Sequence, residues 1–235
     1  MNANVPKMVI RKQVENIIYQ VVPKYLYEDV ICQMQRGLKD EPLNTSVGYC
    51  DTEILEKKMS ATLYEGYSIM ALDTDNGEIA GVVLNGIEKK EDVETALDKF
   101  KHVENEKYQK IFKLIYEVNE SLDIHSKYNL NTIFKINFIC VNPKYRRRGL
   151  VKELLNRCEL LAIEKGFKLM KLDCTSNFVH KVAELNAFAS AKTVRYGDFT
   201  DGNGKQIYDF KMPHDSFTVM IKLLDEKASY QCALQ

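Results

Sequence analysis

Three stretches of the sequence together predict a mixed α/β fold, a mixed sheet flanked by helices on both faces. In residues 135–165, KINFICVNPKYRRRGLVKELLNRCELLAIEK, a near-continuous run of strand type around Ile136, Phe138 and Cys140 ends at Asn142-Pro143. From Gly149 the period changes: Val151, Leu154, Leu155, Cys158, Leu161 and Ala162 recur at helical spacing until Gly166. A second strand-to-helix joint follows, with Phe167–Cys174 leading into a helix from Asn177 to about Asn186. Finally, Asp75-Asn76-Gly77 between two short apolar runs is a strong hairpin signal.

The remaining elements fit around these. Asn16–Val22 is β-rich and is broken by Pro23, which suits the first turn of a helix running to about Gly37, with Leu26, Val30, Ile31 and Met34 on one face. Leu38–Asn44 is expected to be a loop stiffened by Pro42. A helix from about Gly48 to Glu65 turns Ile54, Leu55, Met59, Thr62 and Leu63 inward, and the hairpin strands are Tyr67–Thr74 and Ile79–Asn85. Residues 88–122 read as two charged helices, one with Val93, Leu97 and Phe100 on a face and one with Tyr108, Ile111, Phe112, Ile115 and Val118. With the irregular Asp123–Asn131 they form an insertion, residues 88–131, before the central strand. Thr175 or Ser176 is placed to cap the helix at Asn177. Lys192–Phe199 and Lys205–Phe210 are expected to pair as a hairpin around Asp201–Gly204, and Phe217–Leu223 is the last strand. The first dozen residues are expected to be poorly ordered, and residues 1–235 to form one domain.

Composition limits the function. Lys plus Arg and Asp plus Glu number 33 each, which argues against a nucleic-acid-binding domain. A 45% hydrophobic content over 235 residues suffices for a real core. Six cysteines (Cys32, Cys50, Cys140, Cys158, Cys174, Cys232) contain no C-x-x-C pair and read as reduced thiols. No signal peptide and no apolar run of membrane-spanning length is present, so a cytoplasmic chain without a membrane partner, acting as a monomer, is expected. His102, His125, His180 and His214 show no metal-ligand spacing, and no metal is expected.

Arg146-Arg147-Arg148-Gly149 lies between the central strand and its helix, where unpaired helical N–H groups and the helix dipole suit a phosphate. On charge alone the arginines are better read as a solvated basic turn or a nuclear-localisation or nucleic-acid patch; the strand–turn–helix setting reverses that preference in favour of phosphate. The three glycines of a dinucleotide fingerprint and the Gly-Lys-Ser/Thr of a P-loop are both missing.

Arg146-Arg147-Arg148-Gly149-Leu150-Val151 resembles the Arg/Gln-x-x-Gly-x-Gly/Ala motif of the GNAT superfamily of acyl-CoA N-acyltransferases, with Val151 larger than the usual small residue. The resemblance implies that the amides from Arg146 through Arg147, Arg148, Gly149 and Leu150 to Val151 bind the pyrophosphate of coenzyme A. It also implies that Ile139, Cys140 and Val141 pair with the pantetheine arm and that Asn177 contributes to the same site. The run Lys39-Asp40-Glu41-Pro42-Leu43-Asn44 is similar to that of the insect arylalkylamine N-acetyltransferases, and Phe210-Lys211 and Pro213-His214 also look like these enzymes. That resemblance, covering about Ile17–Leu223, implies acetyl-CoA as acyl donor, a small-molecule amine as acceptor and Glu41 as general base.

Amide formation needs such a base, because an amine with a pKa near 10 is mostly protonated at neutral pH. The family places a backbone N–H near Ile139–Val141 against the negative charge developing on the carbonyl oxygen. At the joint where insect enzymes have two serines stand Thr175 and Val179, leaving Thr175 or Ser176 as proton donor to the leaving thiolate. Tyr64, Tyr67 and the aromatics of residues 24–36 and 104–118 are candidates for an aryl pocket or simply for the core, and His214 for a role in the cleft. Other acceptors (histamine, a polyamine, an amino acid), a longer acyl-CoA, or a non-catalytic CoA-binding module are the alternatives.

Overall fold

The computed structural model describes residues 16–48, 52–100 and 104–225. In chain order the elements are β1 (Ile17–Val21), α1 (Tyr27–Leu38), α2 (Pro42–Ser46), α3 (Thr52–Tyr64), β2 (Ile69–Asp73), β3 (Ile79–Lys89), α4 (Lys90–Phe100) and α5 (Glu106–Leu122). They continue with α6 (Ile124–Tyr128), β4 (Thr132–Val141), α7 (Leu150–Glu164), β5 (Leu169–Cys174), α8 (Asn177–Leu185), β6 (Ala189–Arg195) and β7 (Ser216–Leu223). The strands form one seven-stranded sheet in the order β1-β2-β3-β4-β5-β7-β6. Only β4 and β5, joined by the α7 crossover, pair in parallel.

Period-two alternation divides the core between the faces. Met70, Val82, Leu84, Ile133, Leu169 and Val219 face one cluster with α1, α3, α5 and α6. Ala71, Val83, Phe134, Ile136, Met170 and Met220 face the other, with α7 and α8. Leu154 and Leu155 of α7 are almost fully enclosed, contributing about 2 kcal/mol each by burial. The helix stops where Gly166 turns left-handed, at φ 79°, and the Phe167 N–H returns to the Ala162 carbonyl at 3.0 Å.

The β4–β5 pairing opens the site. It runs only from Phe134↔Met170 to Ile136↔Leu172, after which neither strand has the other as partner. On its other edge β4 continues along β3 to Val141, with Asn137 bulged out between Ile136↔Asn85 and Phe138↔Leu84. The two central strands therefore part just where the bulge re-aims β4, leaving a wedge at their C-terminal ends. α1 covers this wedge closely at Gly37, where an added Cβ would lie 2.5 Å from Cys140 Sγ.

Several expectations are corrected. Leu38–Asn44 is not all loop: Pro42 opens α2, a helix too short for its period to be visible in sequence. Asp123–Asn131 contains α6, capped by the Asp123 carboxylate. Lys205–Phe210 forms no strand: β6 stops at Arg195, the chain takes a short helical turn at Tyr196–Asp198, and a single bridge, Thr200↔Gln206, is all that pairs there. Ser176 stands at the N-cap of α8 without a side-chain cap bond. The first dozen residues, Cys50, Cys232, His102 and the Leu97 and Phe100 side chains lie outside the described residues. Among the described residues the four cysteines are free, no helix is long and apolar enough to cross a membrane, and no cluster of His, Cys, Asp or Glu could hold a metal.

Candidate active site

Glu41 is fixed by its own backbone. The turn Leu38–Glu41 closes α1, Pro42 takes the first position of α2, and the Glu41 carboxylate accepts the N–H groups of Leu43 at 3.1 Å and Asn44 at 2.6 Å. The Thr175 hydroxyl hydrogen-bonds the same carboxylate from the end of β5. Burial is the largest influence and raises the Glu41 pKa, while the bonds from Thr175, Asn44 and Leu43 pull it down without cancelling the rise. The result is a positioned carboxylate poised closer to neutrality than an exposed one.

Glu41 opens into a cavity of about 270 Å³ in the wedge between β4 and β5. Thr175, Ser176 and Val179 bound it on one side and Ile139 and Cys140 on another. Met34, Leu55, Phe112, Ile115, Tyr116 and Phe138 make its wall largely apolar and partly aromatic. Tyr64 and Tyr67 do not belong to it: Tyr64 is exposed against Tyr27, and Tyr67 packs on Phe134 and Phe167 across the sheet. Burial pushes the Cys140 thiol up to about 11, so it is a neutral wall group.

The β5–α8 joint is tied from behind. The buried Tyr196 hydroxyl donates to the Thr175 carbonyl at 3.1 Å. His214 stands outside the cavity lining; its Nδ1 accepts the Asn177 N–H at 3.3 Å and so caps α8, while its ring meets Phe178 edge-on. Burial lowers the His214 pKa, which fits an imidazole that accepts at Nδ1. The Asn177 side chain donates to the Pro213 carbonyl and, at 3.5 Å, to Asp215.

The basic turn leads directly from β4 into α7. Arg146, Arg147 and Arg148 are exposed, Arg147 at φ 64° and Gly149 at φ 82°, and this left-handed pair turns the chain so that α7 begins at Leu150 with no side-chain cap. Arg146 Nε donates to the Val141 carbonyl at 3.4 Å, and Arg148 lies over the Tyr145 ring and donates to Lys144. Tyr145 in turn donates to Asp73 at 2.6 Å, pinning the turn to the β2–β3 hairpin. A capless first turn, a left-handed glycine, three exposed arginines and a β4 edge unpaired beyond Ile136 fit an extended pyrophosphate ligand such as coenzyme A.

Sequence reasoning missed the inner end of the cavity. Lys58, Lys135 and Asp173 line it, and Lys135 binds both Glu88 at 2.7 Å and Asp173 at 3.2 Å. The clue was present: Lys135, Lys171 and Asp173 alternate with apolar residues on strands expected to be buried on both faces.

Residues 49–185 match the acetyltransferase (GNAT) family. Arylalkylamine N-acetyltransferase 2 from Aedes aegypti is 34% identical, with a TM-score of 0.85 over 89% of this chain and 100% of that one. Mosquito arylalkylamine N-acetyltransferase like 5b is 24% identical with a TM-score of 0.81, over 88% and 100% of the two chains. The Drosophila melanogaster polyamine N-acetyltransferase that forms N-acetylagmatine is 21% identical with a TM-score of 0.80, again over 88% and 100%. No curated protein sequence matches. The seven-stranded sheet parted between β4 and β5, the glycine turn before α7 and the match over residues 49–185 all lead to one assignment: the chain belongs to the GNAT family of acetyltransferases.

Proposed function

We propose that this acetyltransferase transfers the acetyl group of acetyl-CoA to the primary amine of an arylalkylamine, of the dopamine, tyramine, octopamine and serotonin class, by direct attack assisted by Glu41. The observation that carries the reading is Glu41 itself, a buried carboxylate with raised pKa that opens into an apolar, partly aromatic cavity where β4 and β5 part. The relative of 34% identity, by its name an arylalkylamine N-acetyltransferase, supports the acceptor class.

Bound acetyl-CoA supplies the activated acyl group as a thioester. The α7 amides and the Arg146–Arg148 turn hold its phosphates, and the free edge of β4 at Ile139–Val141 aligns its extended arm by main-chain pairing. Glu41 accepts a proton from the acceptor, which sits as an ammonium in solution and must lose it to attack. Thr175 orients the Glu41 carboxylate, and Ser176, free of any cap bond, offers its hydroxyl proton to the departing sulfur. Met34, Phe112 and Phe138 keep bulk water from the reacting centre.

The test is thiol release with acetyl-CoA and tyramine, alongside calorimetric titration with coenzyme A. Turnover together with binding is expected. Binding without thiol release from acetyl-CoA in the presence of any primary arylalkylamine would leave a CoA-binding module and overturn the reading.

A further inference from the structure

The cavity that holds Glu41 also carries a cation that this chemistry leaves unused. Lys58 reaches into it from α3, with Nζ 4.8 Å over the Phe112 ring. Its neighbours are matched: Lys135 binds Glu88 and Asp173, and Lys171 binds Glu88 at 2.6 Å. Among the described residues no carboxylate comes within ion-pair distance of Lys58. Glu65 and Asp92, in the adjoining cavity, already accept the N–H groups of Ile87 and Lys89. Burial first, then the Lys135 charge, pull the Lys58 ammonium down to about 8, so Asp173 and Glu88 do not compensate it although it remains mostly charged at neutral pH. One apolar cavity therefore holds two charges available to a ligand, the Glu41 carboxylate and the Lys58 ammonium.

We propose that the acceptor is an amine whose apolar or aryl body ends in an anionic oxygen group, a carboxylate, received by Lys58 while Glu41 takes the amine end. The proposal rests on the acetyltransferase reading above and replaces its dopamine-type acceptor, which carries no carboxylate, with one that does. A carboxylate would give Lys58 a charge-assisted hydrogen bond in a desolvated site. A plain aryl end leaves that ammonium without an anion, and a polyamine brings a second cation against it.

The experiment measures kcat/KM at saturating acetyl-CoA for phenethylamine, para-carboxyphenethylamine and agmatine, with the wild type, Lys58→Met and Lys58→Arg, each checked by thermal melting. The wild type should favour para-carboxyphenethylamine. Lys58→Met should lose roughly ten- to a hundredfold on that amine and little on phenethylamine, and Lys58→Arg should retain the preference. The same ranking in Lys58→Met as in the wild type, or a wild type that prefers phenethylamine or agmatine, overturns the acceptor assignment and leaves the acetyltransferase reading intact. Loss of phenethylamine turnover in Lys58→Met with a lowered melting temperature makes Lys58 a packing residue and overturns it as well. No turnover of any of the three amines by the wild type overturns both.

Discussion

Glu41 is held by two backbone amides, one hydroxyl and burial, and the consequences separate cleanly in two substitutions. Glu41→Gln keeps an oxygen for the α2 amides but cannot accept a proton, so coenzyme A binding should survive while kcat falls about 10²- to 10⁴-fold. The acidic limb of kcat/KM against pH should flatten, leaving only the ionisation of the amine itself. In Thr175→Val the carboxylate loses a bond that stabilises its charged form, so its already raised pKa should rise further. A general base acts deprotonated, so in the proposed role of Glu41 the acidic limb should move to higher pH with the plateau largely kept. A lower plateau with an unmoved limb would instead make Thr175 the proton donor to the sulfur.

Elements, not single side chains, make the proposed coenzyme site. Arg147 and Gly149 both turn left-handed, and α7 starts without a side-chain cap, so in the proposed function its first amides and the exposed arginines serve phosphates remote from Glu41. Replacing Arg146, Arg147 and Arg148 together by glutamate should therefore raise KM for acetyl-CoA far more than it lowers kcat at saturation. Steady-state kinetics decide this: a collapsed kcat at unchanged KM would give the turn another role. The same scale explains where sequence reading failed. α2 and α6 are five-residue helices held by the capping carboxylates of Glu41 and Asp123, and one helical turn leaves no period to detect. The segment Lys205–Phe210 has the alternation and turn residues of a strand, yet β6 ends at Arg195 in the short helical turn Tyr196–Asp198, which leaves one bridge, Thr200↔Gln206, in place of a hairpin.

Across the whole molecule, Glu88 joins the insertion to the central strands. From the end of β3 its carboxylate meets Lys171 on β5 at 2.6 Å and Lys135 on β4 at 2.7 Å, and faces His125 of α6 at 3.7 Å. Burial opposes its charge, but Lys135 and Lys171 more than offset this and hold the carboxyl well below the usual range. Glu88→Gln strands Lys171, which is 1% exposed, and should cost about 3–5 kcal/mol in urea unfolding at neutral pH. A depressed folded pKa contributes stability above the unfolded carboxylate range and loses it as pH falls through the folded value, so the difference between wild type and variant should shrink in acid. A difference that held constant from neutral to acid pH would put the stabilisation elsewhere. The sequence by itself determined the mixed sheet and the strand–turn–helix at Arg146–Gly149, because hydrophobic period and glycine position are local properties. Only the tertiary structure decided that β4 and β5 part after Ile136, that Thr175 meets Glu41, that His214 caps α8 instead of entering the cavity, and that Lys58 shares the cavity with Glu41. These are contacts between residues far apart in the chain, set by strand order and by which carboxylate each buried cation reaches, and no local pattern encodes them.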